Sequence, residues 1–298
     1  MANLRDIRDR ISSVKSTQQI TKAMKMVAAA RLKKAQDRIM SARPYAYNLR
    51  SVLNRLAQST ESRNRMLAIQ SKPEKILILV VGSDRGLCGG FNTNLFRYIE
   101  DELKTTFREY HDNGRLSLVC IGRKANEHFS KRGYDVVDRH PGFFDHLTFE
   151  STAAVMNDAL DRFMNAEYDS VYIAYNEFKT VLSQNRVIEQ LLPIINNEKQ
   201  IESISPIAKD EGYDYIFEPS DSDILEQIVP LHVRVQLWRA VLESNASEQG
   251  ARMAAMDNAT ENAKEIIRVL NLEYNQARQA SITTEISEIV SGAEALSQ

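Results

Sequence analysis

The stretch of this chain best suited to chemistry is a glycine-rich segment that follows a short apolar run. It reads Gly82-Ser-Asp-Arg-Gly-Leu-Cys-Gly-Gly-Phe-Asn92. In an α/β fold, the turn between a strand and the next helix can bind phosphate through backbone N–H groups. The segment lacks both the G-x-G-x-x-G spacing of dinucleotide sites and the lysine of a P-loop. We expect a structural turn whose glycines allow close packing, with a ligand contact as the open alternative.

The other residues capable of chemistry form no recognisable catalytic or metal-binding set. The five histidines include neither an H-E-x-x-H motif nor a His/Cys cluster: His111, His128, His140, His146 and His232. There is no G-x-S-x-G motif, and Cys88 and Cys120 lack a C-x-x-C spacing, so we expect reduced, buried thiols. The sequence therefore assigns no reaction, no cofactor and no metal site to this chain.

The N-terminal segment is strongly basic although the whole chain has a formal net charge of −2. Residues 1–55 carry 13 Lys and Arg against three Asp. Such a helix could follow a nucleic-acid backbone in a salt-dependent way, or it could meet an acidic protein surface. The segment has no aromatic residue before Tyr45, so we rank the acidic protein surface above nucleic acid.

The elements that must position these residues begin with a long N-terminal helix. Nine of twelve positions on two heptad seams are apolar: Leu4, Ile11, Gln18, Lys25, Leu32 and Ile39, with Ile7, Val14, Thr21, Ala28, Ala35 and Ala42. We interpret the polar interruptions at Gln18, Thr21 and Lys25 as register-setting or as solvent-exposed positions. Arg43-Pro44 is predicted to bend or interrupt the helix, which continues to about residue 58.

A second helical pattern fills the C-terminal part of the chain, from about Asp221 to Ala295. Apolar residues recur there at threes and fours: Trp238, Leu242, Met253, Met256, Ala259, Ala263, Ile266, Leu270, Tyr274 and Ala277, then Ile282, Ile286, Ile289 and Val290. A helix of roughly 110 Å cannot bury such a stripe alone. We therefore predict that the two terminal helices pair as an antiparallel coiled coil.

The middle of the chain alternates short apolar strands with amphipathic helices. Strands are predicted at 75–82, 116–122, 134–137 and 170–175, helices near 94–110, 124–132 and 151–165, and a candidate edge strand at 187–192. This alternation predicts a Rossmann-like, parallel α/β domain. The longest strongly apolar run, Ile76 to Val81, is too short to cross a bilayer, and the first residues lack a signal-peptide core. We expect a soluble protein.

Three separated blocks resemble the gamma subunit of F-type ATP synthases, the central stalk of that rotary complex. They are Ile20-Thr-Lys-Ala-Met-Lys-Met-Val-Ala-Ala29, Asp84-Arg-Gly-Leu-Cys-Gly-Gly90 with Asn92, and Ala277-Arg-Gln-Ala-Ser-Ile-Thr283 with Glu288-Ile-Val-Ser-Gly292. The resemblance runs nearly end to end. It implies a non-catalytic shaft that couples proton flow through a membrane ring to conformational change in three catalytic beta subunits, for ATP synthesis or hydrolysis.

The resemblance also implies partners and contact residues. The partners are three alpha and three beta subunits, the epsilon subunit and the membrane c-ring, without nucleic acid. Beta-subunit contacts fall on Lys25, Arg31, Lys33, Lys34, Arg278, Gln279 and Thr283. A hydrophobic bearing of alpha and beta subunits would receive Ile282, Ile286, Ile289 and Val290. Tyr215 and Glu218 would approach the membrane ring.

The predicted layout is a coiled-coil helix in residues 1–60, a central α/β domain in residues 74–208, and a foot segment followed by the second coiled-coil helix in residues 209–298. The implied location is the cytoplasmic face of a bacterial inner membrane, as a peripheral protein. Two alternatives remain open: a basic coiled-coil nucleic-acid binder, and an α/β enzyme with its site at residues 83–92.

Overall fold

The computed structural model describes residues 4–59, 65–67, 72–181, 183–194 and 220–297. In chain order the elements are α1 (Leu4–Ser59), β1 (Ile76–Val81), α2 (Phe91–Lys104), α3 (Arg108–Asp112), β2 (Leu116–Ile121), α4 (Arg123–Lys131), β3 (Val136–His140), α5 (Phe149–Met164), β4 (Ser170–Phe178), β5 (Gln184–Leu192) and α6 (Asp221–Ser297). The chain divides into two compact units. One comprises residues 1–30 with 252–298, and the other comprises residues 31–251.

The larger unit is built around a five-stranded sheet of order β3-β2-β1-β4-β5. The first four strands are parallel, as the alternating pattern predicted, and Leu79 of β1 lies between Val119 of β2 and Ile173 of β4. The candidate edge strand is confirmed as β5, which pairs antiparallel with β4 and begins earlier than predicted, at Gln184. The third strand was predicted at 134–137 but lies at Val136–His140.

The two faces of the sheet are covered by different helices. Because side chains alternate along a strand, Ile78 of β1 faces the helices α2 and α4, whereas Leu79 faces α5 and α6. The second face also receives Leu53 of α1 and Val233 and Leu237 of α6. Every residue of β1 and β2 is buried, as expected for parallel strands covered on both sides. The core of this unit therefore includes segments of both long helices.

The smaller unit is a pair of helical segments whose packing follows the predicted seam. All eight seam positions from Leu4 to Ala28 are buried or half-buried. On α6 the seam advances in alternating steps of four and three residues, through Met256, Thr260, Ala263, Ile267, Leu270, Tyr274 and Ala277. The prediction of Ile266 as a seam residue is wrong. That side chain is 45% exposed, because the heptad step after Ala263 falls on Ile267.

Polar contacts between the helical segments fix their direction and register. The hydroxyls of Thr21 and Thr260 are 2.8 Å apart, and Lys25 Nζ donates to Asp257 at 2.5 Å. The residue number of the contact on α6 falls as that on α1 rises, so the two segments are antiparallel, as predicted. Two of the three interrupted seam positions therefore carry polar contacts that set the register. This register places Leu4 level with about residue 277, because both helices rise by about 1.5 Å per residue.

Beyond Ala277 the exposure of α6 changes. No residue from 278 to 293 is buried or half-buried, although α6 remains helical to Ser297. Among the described helices, none combines the length and the apolar character that a membrane-crossing segment requires.

Candidate functional site

The glycine-rich turn after β1 is organised around the carboxylate of Asp84. Asp84 Oδ1 accepts hydrogen bonds from the backbone N–H groups of Arg123 at 2.9 Å and Gly142 at 2.6 Å, and Oδ2 accepts one from Phe144 at 2.9 Å. A carboxylate that is only 7% exposed therefore ties together the turns that follow three adjacent strands. It occupies the N–H group at the start of α4 that a phosphate-binding α/β protein offers to its ligand.

The rest of this turn is held by Asn92 and by close glycine packing. Asn92 accepts from Ser83 N–H at 3.1 Å and donates to Ser83 Oγ at 2.7 Å. A Cβ on Gly82 would lie 2.9 Å from the Ala125 side chain, and Gly122 has a φ of +97° against the Gly82 backbone. These contacts support the interpretation of residues 82–92 as a structural turn.

The thiols and histidines form no reactive cluster in the described residues. Cys88 and Cys120 are buried thiols that form no disulfide, and burial raises the pKa of the Cys120 thiol to about 12. His140 lies 3.0 Å from Asp138, and His128 lies 2.8 Å from Glu100, with Arg132 in contact with both members of the second pair. No group of three or more His, Cys, Asp or Glu suited to a metal ion occurs in the part of the chain that the structure describes.

A cleft of about 680 Å³ opens between α1, α6 and the start of α5 in the larger unit. Its walls are mostly apolar, with Tyr45, Phe149 and Trp238 as the aromatic members, and Phe149 packs edge-on against Trp238. Its polar rim consists of Asp37, Arg38 and Ser41. This rim offers no paired acid and base, so the cleft does not resemble a catalytic site.

In the smaller unit, the predicted beta-subunit contacts lie on both helices. Lys25 is half-buried on the helix seam, and its ammonium group is paired with Asp257. Arg278, Gln279 and Thr283 are exposed on α6, and the Thr283 hydroxyl donates to the Gln279 carbonyl at 2.9 Å. Arg278 and Gln279 are thus available to a partner, whereas Lys25 shares its charge with Asp257.

The predicted bearing residues form an exposed apolar row near the end of α6. Their exposed fractions are large for apolar side chains: Ile282 46%, Ile286 56%, Ile289 66% and Val290 55%. Steps of three and four place them on one side of the helix. A row of this kind, on a helical segment that no described helix covers, is typical of a surface that is covered in an assembly.

In the larger unit, the predicted basic contacts Arg31, Lys33 and Lys34 are all exposed. Lys33 lies 3.7 Å from Asp37, four residues along the helix, a distance typical of a weak surface ion pair. Tyr215 and Glu218 lie outside the described residues, so their predicted role at the membrane ring stays a prediction.

Sequence reasoning missed a buried group of charged side chains between α1, α6 and the sheet. Arg239 of α6 donates to Glu189 of β5 at 2.5 Å and to the Tyr175 hydroxyl of β4 at 3.2 Å. Glu243, one helical turn further on, lies 3.7 Å from Arg239 and 3.5 Å from Arg43 of α1. Burial raises the pKa of Tyr175, which keeps that phenol neutral.

The only signal of this group in the sequence is the four-residue spacing of Arg239 and Glu243. That spacing lies in the segment from Val233 to Glu243, where Arg234 and Gln236 also interrupt the apolar positions. Their partners on α1, β4 and β5 are distant in the chain, so the pattern could not identify them.

Comparisons with known proteins give one consistent family. The family model described as ATP synthase matches residues 3–296. The ATP synthase gamma chain of Chlorobaculum parvum is 48% identical over 299 residues, which cover 100% of both chains. That of Chloroherpeton thalassium is 47% identical and covers 100% of this chain and 99% of its own length.

Solved structures give the same fold. A chain of the Tetrahymena thermophila mitochondrial ATP synthase, from a structure of the central stalk and c-ring, has a TM-score of 0.60 and 26% identity, covering 80% of this chain and 99% of its own. A chain of the Euglena gracilis mitochondrial ATP synthase has a TM-score of 0.68 over 98% of this chain and 94% of its own. At 21% identity, the second match supports the fold alone.

Proposed function

This chain belongs to the ATP synthase gamma chains, and we propose on that premise that it turns as the central stalk within a ring of three alpha and three beta subunits. It is a non-catalytic subunit, because the catalytic sites of the complex lie in the beta subunits. The observation that carries the proposal is the identity of almost half of all residues, over the full length, with curated gamma chains.

The helix pair of the smaller unit has two chemically different sides. Within residues 4–30, α1 carries six basic and two acidic side chains, whereas residues 252–293 of α6 carry four basic and six acidic ones. A single asymmetric pair inside a three-fold ring presents a different surface to each beta subunit. A contact with the stalk changes the affinity of a catalytic site only when the contact differs between the states of that site. Rotation would therefore bring three different sets of stalk contacts to each catalytic site in turn.

The exposed polar residues of α6 are the proposed contact with one beta subunit. Arg278 and Gln279 present hydrogen-bonding groups that no described residue on the facing helix covers, and Thr283 lies one turn further on. We assign the exposed Arg31, Lys33 and Lys34 to an acidic segment of beta, since opposite charges favour encounter and register. Lys25 would contribute less, because Asp257 already neutralises it.

The apolar row of Ile282, Ile286, Ile289 and Val290 would occupy a hydrophobic sleeve formed by the alpha and beta subunits. Covering these side chains would remove an exposed apolar surface from water, which favours assembly. At the other end of the complex, Tyr215 and Glu218 would meet the polar loops of the c-ring, next to the epsilon subunit.

The complex is membrane-associated, and the matching chain of the Euglena gracilis enzyme comes from a structure of F1 with the c-ring. For this chain we propose a peripheral position on the cytoplasmic face of a bacterial inner membrane, reached through the ring. Rotation would couple proton flow through that ring to ATP synthesis, or ATP hydrolysis to pumping.

Co-assembly tests the proposed function directly. Purified alpha and beta subunits from the same source, mixed with this chain, are expected to give a complex containing three alpha, three beta and one copy of this chain. Native mass spectrometry measures that stoichiometry, and ATP hydrolysis by the mixture should exceed that of the alpha and beta subunits alone. A chain that stays separate from correctly folded alpha and beta subunits would refute the stalk assignment.

Replacing Arg278 with Ala tests the contact on α6. The ATPase rate of the reassembled complex is expected to fall about tenfold, because a hydrogen bond to a charged group contributes about 1.5 kcal/mol or more. Arg278→Lys should recover only part of the rate, since an ammonium group cannot reproduce the planar fork of a guanidinium. The melting temperature of the free chain should not change, because Arg278 is exposed. An unaltered rate in Arg278→Ala would remove this residue from the contact.

A further inference from the structure

The helix α1 passes through a point where its own hydrogen bonding is interrupted. Pro44 lies inside the helix, has no N–H group, and leaves the carbonyl of Met40 without its usual donor. The sequence predicted a bend or interruption here, yet α1 is continuous from Leu4 to Ser59. Because a proline inside a helix costs about 3 kcal/mol, we expect contacts outside the helix to help hold this turn in place.

One such contact is an ion pair between α1 and α6. Arg43, the residue before the proline, places Nη2 at 3.5 Å from Oε1 of Glu243. The Glu243 side chain is 3% exposed, whereas that of Arg43 is 52% exposed. Among the described residues Arg43 has no other ion-pair partner. The attachment of this turn to α6 by charge therefore depends on one buried carboxylate.

The two oxygens of that carboxylate have different surroundings. Oε1 is shared by Arg43 and Arg239, whereas Oε2 is buried and has no hydrogen-bond partner among the described residues. Arg239 is also held by Glu189, by Tyr175 and, at 3.0 Å, by Gln236. If Glu243 lost its charge, Arg239 would keep three partners, whereas Arg43 would keep no ion-pair partner among the described residues.

Charged and titratable groups face Glu243 from every element packed around it. Tyr175 and Glu177 come from β4, Glu189 from β5, Arg43 from α1, and Arg239 from the same helix. Burial raises the pKa of Glu243 above its ordinary value, the two acidic neighbours raise it further, and the guanidinium groups of Arg239 and Arg43 lower it. The net direction is upward, so this carboxyl accepts a proton more readily than an exposed glutamate.

We propose that Glu243 is a protonation-dependent latch on α1: as a carboxylate it holds Arg43 and the turn at Pro44 against α6, and as the neutral acid it releases them. The proton would reside on Oε2, the oxygen without a partner, and Oε1 would lose the charge that attracts Arg43. The stiffness of α1 at Pro44 would therefore depend on pH.

As pH falls, the contact between Glu243 and Arg43 weakens, whereas the contribution of the Glu243 proton to the stability of the folded state increases. Because the folded pKa of Glu243 lies above the unfolded one, the folded state binds this proton more tightly. The stabilisation from that proton is fully present below the unfolded pKa and is lost as pH rises through the folded pKa. Release of Arg43, by contrast, increases as pH falls. Local loosening at Pro44 without loss of global stability is therefore the signature of the latch.

Hydrogen exchange of the full chain, read by mass spectrometry and corrected for the intrinsic rate at each pH, tests the proposal. At about pH 8, Glu243→Gln should accelerate exchange of the peptide covering residues 38–50 about tenfold relative to the wild type, since loss of one charge-assisted contact opens the turn by a factor of this order. At about pH 5 the wild type should approach the variant, whose corrected exchange should not depend on pH.

Two further variants separate the latch from general destabilisation. Arg43→Met removes the other partner from a half-exposed position and should give the same acceleration, even if Glu243→Gln fails to fold. Glu177→Gln is the matched control at about pH 8, where it neutralises a nearby carboxylate that does not contact Arg43 and should leave exchange of residues 38–50 unchanged. Because Glu177 raises the pKa of Glu243, this variant should begin to loosen at a lower pH than the wild type. Equal exchange in the wild type and Arg43→Met at both pH values would overturn the proposal. So would an equal acceleration in peptides from β1.

Discussion

Asp84→Ala is expected to lower the free energy of unfolding of the larger unit by about 3–5 kcal/mol, because it leaves three backbone N–H groups without their acceptor. Each unsatisfied buried donor costs about 1–3 kcal/mol. Some of that loss is recovered if water enters the turn, which is why the expected total lies below the simple sum. Urea unfolding followed by circular dichroism measures the change.

Two further substitutions test whether the loss of stability is specific to the hydrogen bonds of Asp84. Asp84→Asn keeps one acceptor oxygen but sets an amide NH₂ against one of the three donors, so its loss should be intermediate. Asp145→Ala removes a carboxylate from the same region. That carboxylate forms an exposed ion pair with Arg85 at 3.1 Å. That control should cost about 1 kcal/mol or less. If Asp84→Ala and Asp145→Ala unfold at the same urea concentration, Asp84 does not organise the turn.

The parts of the fold that the sequence predicted are those governed by periodicity. The eight seam positions from Leu4 to Ala28 were assigned correctly because a heptad repeat reports burial directly. Ile266 was assigned wrongly because Ile266 and Ile267 are adjacent and equally apolar, so only the step from Ala263 decides between them. The start of β5 was missed for a similar reason, since Asn185 and Arg186 are polar residues on an edge strand.

The parts that could not be predicted depend on contacts between distant residues. Asp84 reaches N–H groups 39, 58 and 60 residues away, and no local pattern encodes those partners. The charged group around Glu243 draws on α1, two strands and α6, so its members look like ordinary surface charges in the sequence. The predicted contact residues Arg278 and Gln279 came from the family resemblance, because exposed helix positions carry no physical signal of a partner that is absent.

Ending the chain after Leu270 is expected to separate assembly from folding. The truncation removes the exposed row Ile282, Ile286, Ile289 and Val290, which contributes nothing to the core of the larger unit. Burying four such side chains in a sleeve would contribute about 1–2 kcal/mol each when they start half-exposed. The chain should therefore dissociate from the reassembled complex at least about a hundredfold faster, a change of roughly 2.7 kcal/mol.

The same truncation also removes Tyr274 and Ala277, which are half-buried against the first turns of α1. A second variant keeps these contacts and the helix length while replacing Ile282, Ile286, Ile289 and Val290 with Asn. It should reproduce the faster dissociation, whereas the melting temperature of the larger unit should stay within the range of surface substitutions. If melting and assembly decline together in both variants, the row belongs to the fold rather than to an assembly surface. If only the truncation weakens assembly, the contact lies in the other residues of 271–298, which include Arg278, Gln279 and Thr283.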